Sequence, residues 1–412
     1  MKRRWSSAAG LASFQSAGYR WLWAGVFLYV MSLVISRLAM GWLVLTLTDS
    51  AYWVGLAAGV DGVGKILFGL FGGVLVDHQD KRRVLWYGLL LYGLLGAGLG
   101  ALIEAGAVGV PALLLVAFLL GGIDSVLTPA SNAIVFHLVG RERVMNAAAL
   151  NLLGFYAART VAAAVAGIVI ARVGLGPVWL LAGLLAVLAV LPLLRVRGHF
   201  MAATERPPFL AALREGLHAA WQDRDLRRVL GLSVITELFG FSHFVLIPVM
   251  ARDVLGVGAE GLGYLTSASG LGATLGTALL AGLGDIRRKG ALLWGGTVAA
   301  AGLLIGLAAS PWYALSLAIS AVMGLLLAGY DALMQAMVQL LSPDAVRGRI
   351  LSLYVLTFGF TSVGGYVAGI IASVAGAPLA IALGGGFMLA YLAAEARPLA
   401  RLKPGAEPAP AD

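Results

Sequence analysis

GGVLVDHQDKRRVLWYGLLLYG, residues 72–93, leaves one apolar run, crosses a short charged turn and enters another. AGLGDIRRKGALLWGGTVAAAG, residues 281–302, repeats the layout, with an Asp closing an apolar run, a basic cluster, then a Trp-bearing apolar run. A second pair keeps nearly the same displacement: HLVGRERVMNAAALNLLGFYAARTVAAAVAGIVIARVG (137–174) is echoed by LLSPDAVRGRILSLYVLTFGFTSVGGYVAGIIASVAG (340–376). Two echoes in register read as a duplicated unit, so the chain is expected to fold as two like halves.

The runs around these echoes set the solvent. Of the 412 residues, 60% are hydrophobic and 12% charged, against about 25% charged in soluble domains. Surface-to-volume scaling gives a globular chain of this size no way to hide so much apolar surface. A bilayer-spanning helix needs about 20 mainly apolar residues, and charged or Gly/Pro punctuation cuts the chain into twelve such runs. They lie at 20–47, 52–76, 84–104, 110–138, 144–172, 177–195, 228–252, 259–284, 290–309, 312–340, 349–373 and 377–395, and are called spans 1 to 12. The start is basic and then apolar like a signal peptide, but the run continues to about Thr48 without a small-residue cleavage site and reads as a retained first span. Between spans 6 and 7 lies the one long polar stretch, RVRGHFMAATERPPFLAALREGLHAAWQDRDLRR, with an amphipathic piece from Phe209 to Trp221. The expected fold is an all-α integral membrane protein of twelve transmembrane helices in two pseudo-symmetric six-helix bundles. Residues 1–195 form the first bundle, 196–227 a cytoplasmic linker, 228–396 the second bundle and 397–412 a cytoplasmic tail.

Basic residues fill the N-terminus, HQDKRR, GRERV, the linker, DIRRKG, DAVRGR and the tail, while the opposite loops have almost none; Arg172 and Arg252 are the exceptions. The positive-inside rule then puts both termini in the cytoplasm, with the chain multi-pass in an inner or plasma membrane. The same placement speaks against a nucleic-acid partner despite the net charge of +9, because no extended basic face forms. There is no Cys, and the five His are scattered, so no metal site or cofactor is expected. No GxxxxGK[ST] loop provides for ATP, and no nucleophile constellation suggests an enzyme.

The charged turn carries a resemblance. The signature of the major facilitator superfamily between spans 2 and 3 reads Gly-x-Leu-x-Asp-Arg-x-Gly-Arg-Lys. This chain has Gly73, Leu75, Asp77, Lys81 and Arg82 in it, with His78 and Asp80 replacing Arg and Gly. The second copy keeps Leu283, Asp285, Arg287 and Arg288, with Ala281 for the first Gly. TDSAYWVGL (48–56) and PASNAIVFHLVGRERVMNAAAL (129–150) most resemble the drug and siderophore exporters of the macrolide-efflux and enterobactin-exporter type. One departure is Ala162-Ala163 in span 5, where such exporters often carry Gly-Pro. The resemblance implies alternating access, export, and a gate in which Asp77 engages cations and a helix N-terminus of the other half. Arg347 and Arg349 are the partners it suggests, with Asp285 facing Arg141 or Arg143. The plainer alternative is that the cluster only fixes topology.

Eight Asp, Glu, His, Lys and Arg side chains fall in the interior of the spans, away from their ends: Arg37, Asp61, Lys65, Asp124, Arg159, Glu237, His243 and Asp331. A charge near the bilayer centre costs about 3 kcal/mol or more unless it meets a partner or water. Asp61 and Lys65 are four apart and share a helix face, and Arg37 reaches a similar depth. Arg37–Asp61–Lys65 is therefore either a fixed network locking spans 1 and 2 or part of a substrate-binding lining. Asp124 and Arg159 share a depth at which an ion pair can form, and the duplication relates Asp124 to Asp331 and sets His243 opposite Arg37. A proton-coupled transporter needs a carboxylate whose pKa moves between burial, which raises it, and a nearby cation, which lowers it. Asp124, Glu237 and Asp331 are the candidates, with Asp61 behind them. Gly55/Gly59, Gly69/Gly73, Gly272/Gly276 and Gly365/Gly369 have the GxxxG spacing of close helix packing. Trp21, Trp23, Tyr52, Trp53, Trp179, Trp312 and Tyr313 fall near span ends, as an interfacial belt would.

The expected function is proton-coupled efflux of a small amphipathic molecule through a membrane-embedded, lipid-solvated carrier. The alternatives are import of a small polar or anionic metabolite, and a non-transporting receptor or scaffold.

Overall fold

The computed structural model describes residues 11–77, 79–198, 200, 209–283, 288–343, 346–396, 399 and 402. Among them twelve spans appear: Ala17–Thr48, Ala51–Asp77, Lys81–Glu104, Val110–Val139, Val144–Arg172, Leu175–Leu194, Arg224–Val254, Gly258–Leu283, Lys289–Ala308, Tyr313–Leu341, Arg347–Ala375 and Ala377–Ala394. Helix is the outcome that lipid demands, since it pairs backbone N–H and C=O groups within the segment. Eleven of these are apolar enough to cross a bilayer by length and composition. Gly258–Leu283 has the length, 26 residues, but its run is diluted by Gly, Ser and Thr, and it is held between spans 5 and 10.

The largest shift in a span boundary is at span 7, which begins at Arg224 because Asp223 caps it, accepting from the N–H groups of Asp225 and Leu226 at 2.8 and 3.0 Å. Span 7 also departs from a plain α-helix. Thr236–Phe241 and Met250–Val254 are π-helical turns flanking Pro248, which lacks the N–H a continuous ladder requires. Span 11 is interrupted between Thr357 and Phe360. The amphipathic linker helix runs Phe209–Gln222.

The duplication is visible in the packing. Span 2 packs on span 4 as span 8 does on span 10, and span 3 on span 6 as span 9 does on span 12. The halves meet along two related seams, span 2 with span 11 and span 5 with span 8. Glycine makes both seams possible. A Cβ on Gly55 would fall 2.8 Å from the Gly369 Cα, and one on Gly167 would fall 2.7 Å from the Gly263 Cα. Of the four GxxxG pairs, Gly55/Gly59 and Gly365/Gly369 thus serve the seam between halves, whereas Gly272/Gly276 pack on span 10.

These close approaches lie toward the end of the molecule opposite the termini, here the far end. There Arg252 pairs with Asp49 at 2.6 Å and donates to the Leu45 carbonyl at 3.0 Å, joining spans 7 and 1. Arg172 reaches Glu260 at 3.6 Å, joining spans 5 and 8. The two exceptions to the basic-loop pattern are therefore bridges between halves. Past mid-span the seam parts. Gly55, Gly59 and Gly62 touch span 11, but Ile66, next on that face, is 48% exposed. On span 11, Gly369, Tyr366 and Ser362 touch span 2, but Val355, two turns on, is 58% exposed. The structure is shut at the far end and splayed at the end bearing the termini.

One expectation is corrected at the rims, and one basic pair finds its partners. Trp179 is fully buried rather than interfacial, because it packs in the seam of spans 3 and 6, where its carbonyl stands 3.7 Å from a Cβ placed on Gly96. Lys81 and Arg82 serve their own half: Lys81 is buried and donates to the Phe200 carbonyl at 3.1 Å, and Arg82 donates to the Val196 carbonyl at 2.7 Å. They tie span 3 to the chain leaving span 6.

Candidate functional site

Between the halves, the spans related by the duplication each deliver ionisable groups near mid-length: Arg37 from span 1, Asp124 from span 4, Glu237 and His243 from span 7, Asp331 from span 10. Asp124 is the best-anchored. Its Oδ2 accepts from Arg37 Nη2 at 2.9 Å, and its Oδ1 accepts from the Tyr29 hydroxyl at 2.6 Å and the Thr128 hydroxyl at 3.3 Å. Tyr29 is held edge-on to Tyr92 of span 3 with ring centroids 5.6 Å apart. The Arg37 side chain is 51% accessible although it lies deep within span 1, while that of Asp124 is 12% accessible. A side chain this open at such depth, on a span packed against spans 2, 4, 5 and 6, marks a hollow.

The sequence-level pairings are thereby revised. Arg37 binds Asp124 and not the Asp61–Lys65 pair, which is satisfied within span 2. Arg159 does not pair with Asp124: its guanidinium lies over the Phe244 ring of span 7, 4.3 Å from the centroid. The physical reason is register. Tyr29, two turns before Arg37, and Arg37 itself hold the two Asp124 oxygens, while Arg159 turns to the Phe244 ring. Arg37 and Asp61 still sit within electrostatic range of each other, as do Arg159, Arg37 and Asp331.

On the other side of the hollow, Asp331 Oδ2 accepts from the Tyr156 hydroxyl at 3.1 Å, a bond between spans 10 and 5 and hence between halves. Glu237, in the first π-helical turn of span 7 and 4% exposed, accepts from the Thr361 hydroxyl of span 11. His243 is also buried, its Nδ1 donating to the Gly240 carbonyl and its ring against Phe244 at 4.1 Å. It neighbours Arg159 rather than Arg37. Sequence reasoning missed Tyr29, Tyr156, Phe244 and Thr361. Tyr156 stands three residues before Arg159 on one helix face, a spacing that could have drawn it in; Thr361 carried no such signal.

The charged turns behave differently from the hollow. Gly73 and Asp77 end span 2, but their surroundings lie outside the described residues, as do Asp285 and Arg287 altogether. Arg288 is exposed ahead of span 9. Arg349 pairs with Glu215 of the linker helix, and Arg347 donates to the carbonyls of Gln339 at 3.2 Å and Ser342 at 3.3 Å. A Cβ on Gly216 would stand 3.2 Å from the Arg349 carbonyl, so the linker helix lies directly on the start of span 11.

Comparison with known proteins agrees with this architecture. The profile of the transmembrane secretion effector family matches residues 8–407. The enterobactin exporter EntS of Shigella flexneri is 29% identical over 344 residues, covering 82% of this chain and 80% of that protein. EntS of Escherichia coli O127:H6 is 28% identical over 351 residues, covering the same 82% and 80%. Among solved structures, a bacterial homologue of the human lysosomal transporter Spinster, in an inward-facing and unoccupied conformation, superposes with a TM-score of 0.73 at 13% identity. That match covers 95% of this chain and 99% of that one. An auto-inhibited peptide transporter of the POT family superposes with a TM-score of 0.74 at 14% identity, again covering 95% and 99%. A membrane fold of two like six-helix bundles, a charged hollow between them and a profile match across nearly the whole chain lead to one assignment: this protein is a multi-pass membrane transporter, not an enzyme, and belongs to the transmembrane secretion effector family of the major facilitator superfamily.

Proposed function

We propose that the protein exports a small amphipathic molecule, siderophore- or drug-like, by alternating access, with proton entry supplying the energy. The observation that carries this reading is the asymmetry of the seams. Two glycine crossings related by the duplication shut the far end, while the faces of spans 2 and 11 stand exposed toward the termini. With both termini in the cytoplasm, as the basic loops favour, this is the state that loads substrate from inside. The similarity to enterobactin exporters supports the direction.

Rocking the halves about the hollow would part spans 2 and 11 and spans 5 and 8 at the far end and bring their other ends together. The Tyr156–Asp331 bond joins the halves and would break in that motion. Asp331, whose hydrogen bond crosses between the halves, is the carboxylate whose surroundings would change most between states; Glu237, held by a hydroxyl rather than a cation within its own half, is the second candidate. Asp124, fastened to Arg37 and Tyr29 within one half, changes less. The latch at the cytoplasmic side would form between Asp77 and Arg347 or Arg349 after closure. Among the described residues Arg349 pairs with Glu215, and Arg347 donates to the carbonyls of Gln339 and Ser342.

The test is efflux from proteoliposomes across a compound panel under an imposed pH gradient, with Asp331→Asn, Glu237→Gln and Asp124→Asn alongside. We expect gradient-driven transport to fall at least tenfold in Asp331→Asn or Glu237→Gln. Transport with the same pH dependence in all three variants would remove proton coupling at these sites. Uptake rather than efflux in the same vesicles would replace export by import.

A further inference from the structure

Six of the charged groups within the spans have a partner: Arg37 and Asp124 pair with each other, as do Lys65 and Asp61, while Asp331 has Tyr156 and Glu237 has Thr361. Arg159 does not. Among the described residues no hydrogen bond or ion pair reaches its N–H groups, and its one specific contact is the face of Phe244 at 4.3 Å. An arginine stays charged in a protein, so it cannot escape this position by losing a proton. Asp331 lies within electrostatic range of it but forms no ion pair with it among the described residues; a guanidinium without a direct partner at mid-membrane is costly and is retained where it meets an anion or a hydrated path.

The setting favours an anion. Arg159 is flanked in sequence by Ala158, which is buried, and by Thr160, whose carbonyl accepts from the Ser267 hydroxyl at 2.8 Å in the seam of spans 5 and 8. It therefore lies at the roof of the hollow, where the far end shuts. Arg37, from span 1, lies within electrostatic range of it and has only one carboxylate partner for its five donors. Two guanidinium groups at one roof repel each other, and a negative group between them turns that repulsion into two attractions. The Phe244 ring holds the Arg159 guanidinium in place at 4.3 Å, and the paired N–H donors of a guanidinium suit the flat geometry of a carboxylate or ionised phenol. The Phe244 ring offers apolar surface for the body attached to that group.

We propose that Arg159, seated on Phe244, is the anion-binding residue of the hollow, and that the protein's substrate is a small organic anion with an apolar body. The inference rests on the transport reading for the word substrate alone. Because Arg159 and Phe244 belong to different halves, opening the far end separates them, and the anion leaves a cation that has lost its aromatic support.

The test is equilibrium binding to the purified full-length protein in nanodiscs, read by tryptophan fluorescence. The probes are 1-naphthoate and its uncharged counterpart 1-naphthamide. The wild type is expected to prefer naphthoate at least tenfold, and Arg159→Gln to bind the two equally. Arg227→Gln, an exposed arginine in the first turn of span 7 and far from the hollow, should keep the full preference. If Arg159→Gln does not fold by its thermal melt, Arg159→Lys and Phe244→Leu carry the test, each expected to cut the preference at least threefold. A wild type without preference, or a preference undiminished in the variants that fold, overturns the proposal. Anion preference without efflux would remove the export reading and leave this one; efflux indifferent to charge would do the reverse.

Discussion

Asp124 shows how much one side chain organises. It gathers Arg37, Tyr29 and Thr128 within 3.3 Å, so three side chains of the hollow take their positions from one carboxylate. Breaking a fully buried ion pair costs about 3–5 kcal/mol. The 51% accessible Arg37 side chain lets water screen part of this, so Asp124→Leu should lose about 2–3 kcal/mol. The double variant Arg37→Met with Asp124→Leu should recover most of that loss. Denaturant titration of the four proteins in a double-mutant cycle measures it, and strictly additive losses would show that the pair is not coupled. The residue-level lesson concerns partners. That eight ionisable groups sit within the spans was readable from the sequence, whereas which of them pair was not. Arg159 shares a depth with Asp124 yet meets Phe244, because depth constrains one coordinate and rotation about the helix axis decides the rest.

At the scale of elements, the seam of spans 2 and 11 is a crossing that only glycine permits. A Cβ on Gly369 would stand 2.7 Å from the Gly55 Cα, a distance that backbone must yield to accommodate. Gly369→Val should therefore prop the far end open. The chain contains no Cys, so Leu45→Cys, fully buried beneath the Arg252 bridge, is a clean reporter. Its reaction with a membrane-impermeant maleimide should rise at least fivefold when Gly369→Val is added. No change in labelling would mean the crossing does not control closure. GxxxG spacing marked Gly55/Gly59 and Gly365/Gly369 for close packing, but it did not tell a seam between halves from the intra-half packing of Gly272/Gly276 on span 10. The π-helical turns of span 7 left only Pro248 as a trace in the sequence.

At the scale of the molecule, alternating access makes a demand that a static scaffold does not. Ile66 and Val355 continue the faces that touch at Gly62 and Ser362, yet stand exposed. Closing the end that bears the termini should bring them together. The pair Ile66→Cys with Val355→Cys, bridged by a short bifunctional maleimide in the presence of a transported compound, is expected to abolish transport. Each single variant treated alike should keep most of its rate. Undiminished transport after complete bridging would exclude the rocking cycle.

The sequence by itself determined the solvent, the number of spans, their near-final boundaries, the duplication and the set of charges drawn into the interior. These follow from local composition, since about 20 apolar residues must become helix in lipid whatever surrounds them, and a repeat shows in the letters. Only the tertiary structure decided which end is shut, that Arg172 and Arg252 bridge the halves, that Lys81 and Arg82 serve their own bundle, and that Arg159 lies on Phe244 with no hydrogen-bond partner among the described residues. Each of these depends on how one helix is rotated and tilted against another. That is set by packing among residues far apart in the chain, and no periodicity within a single span encodes it.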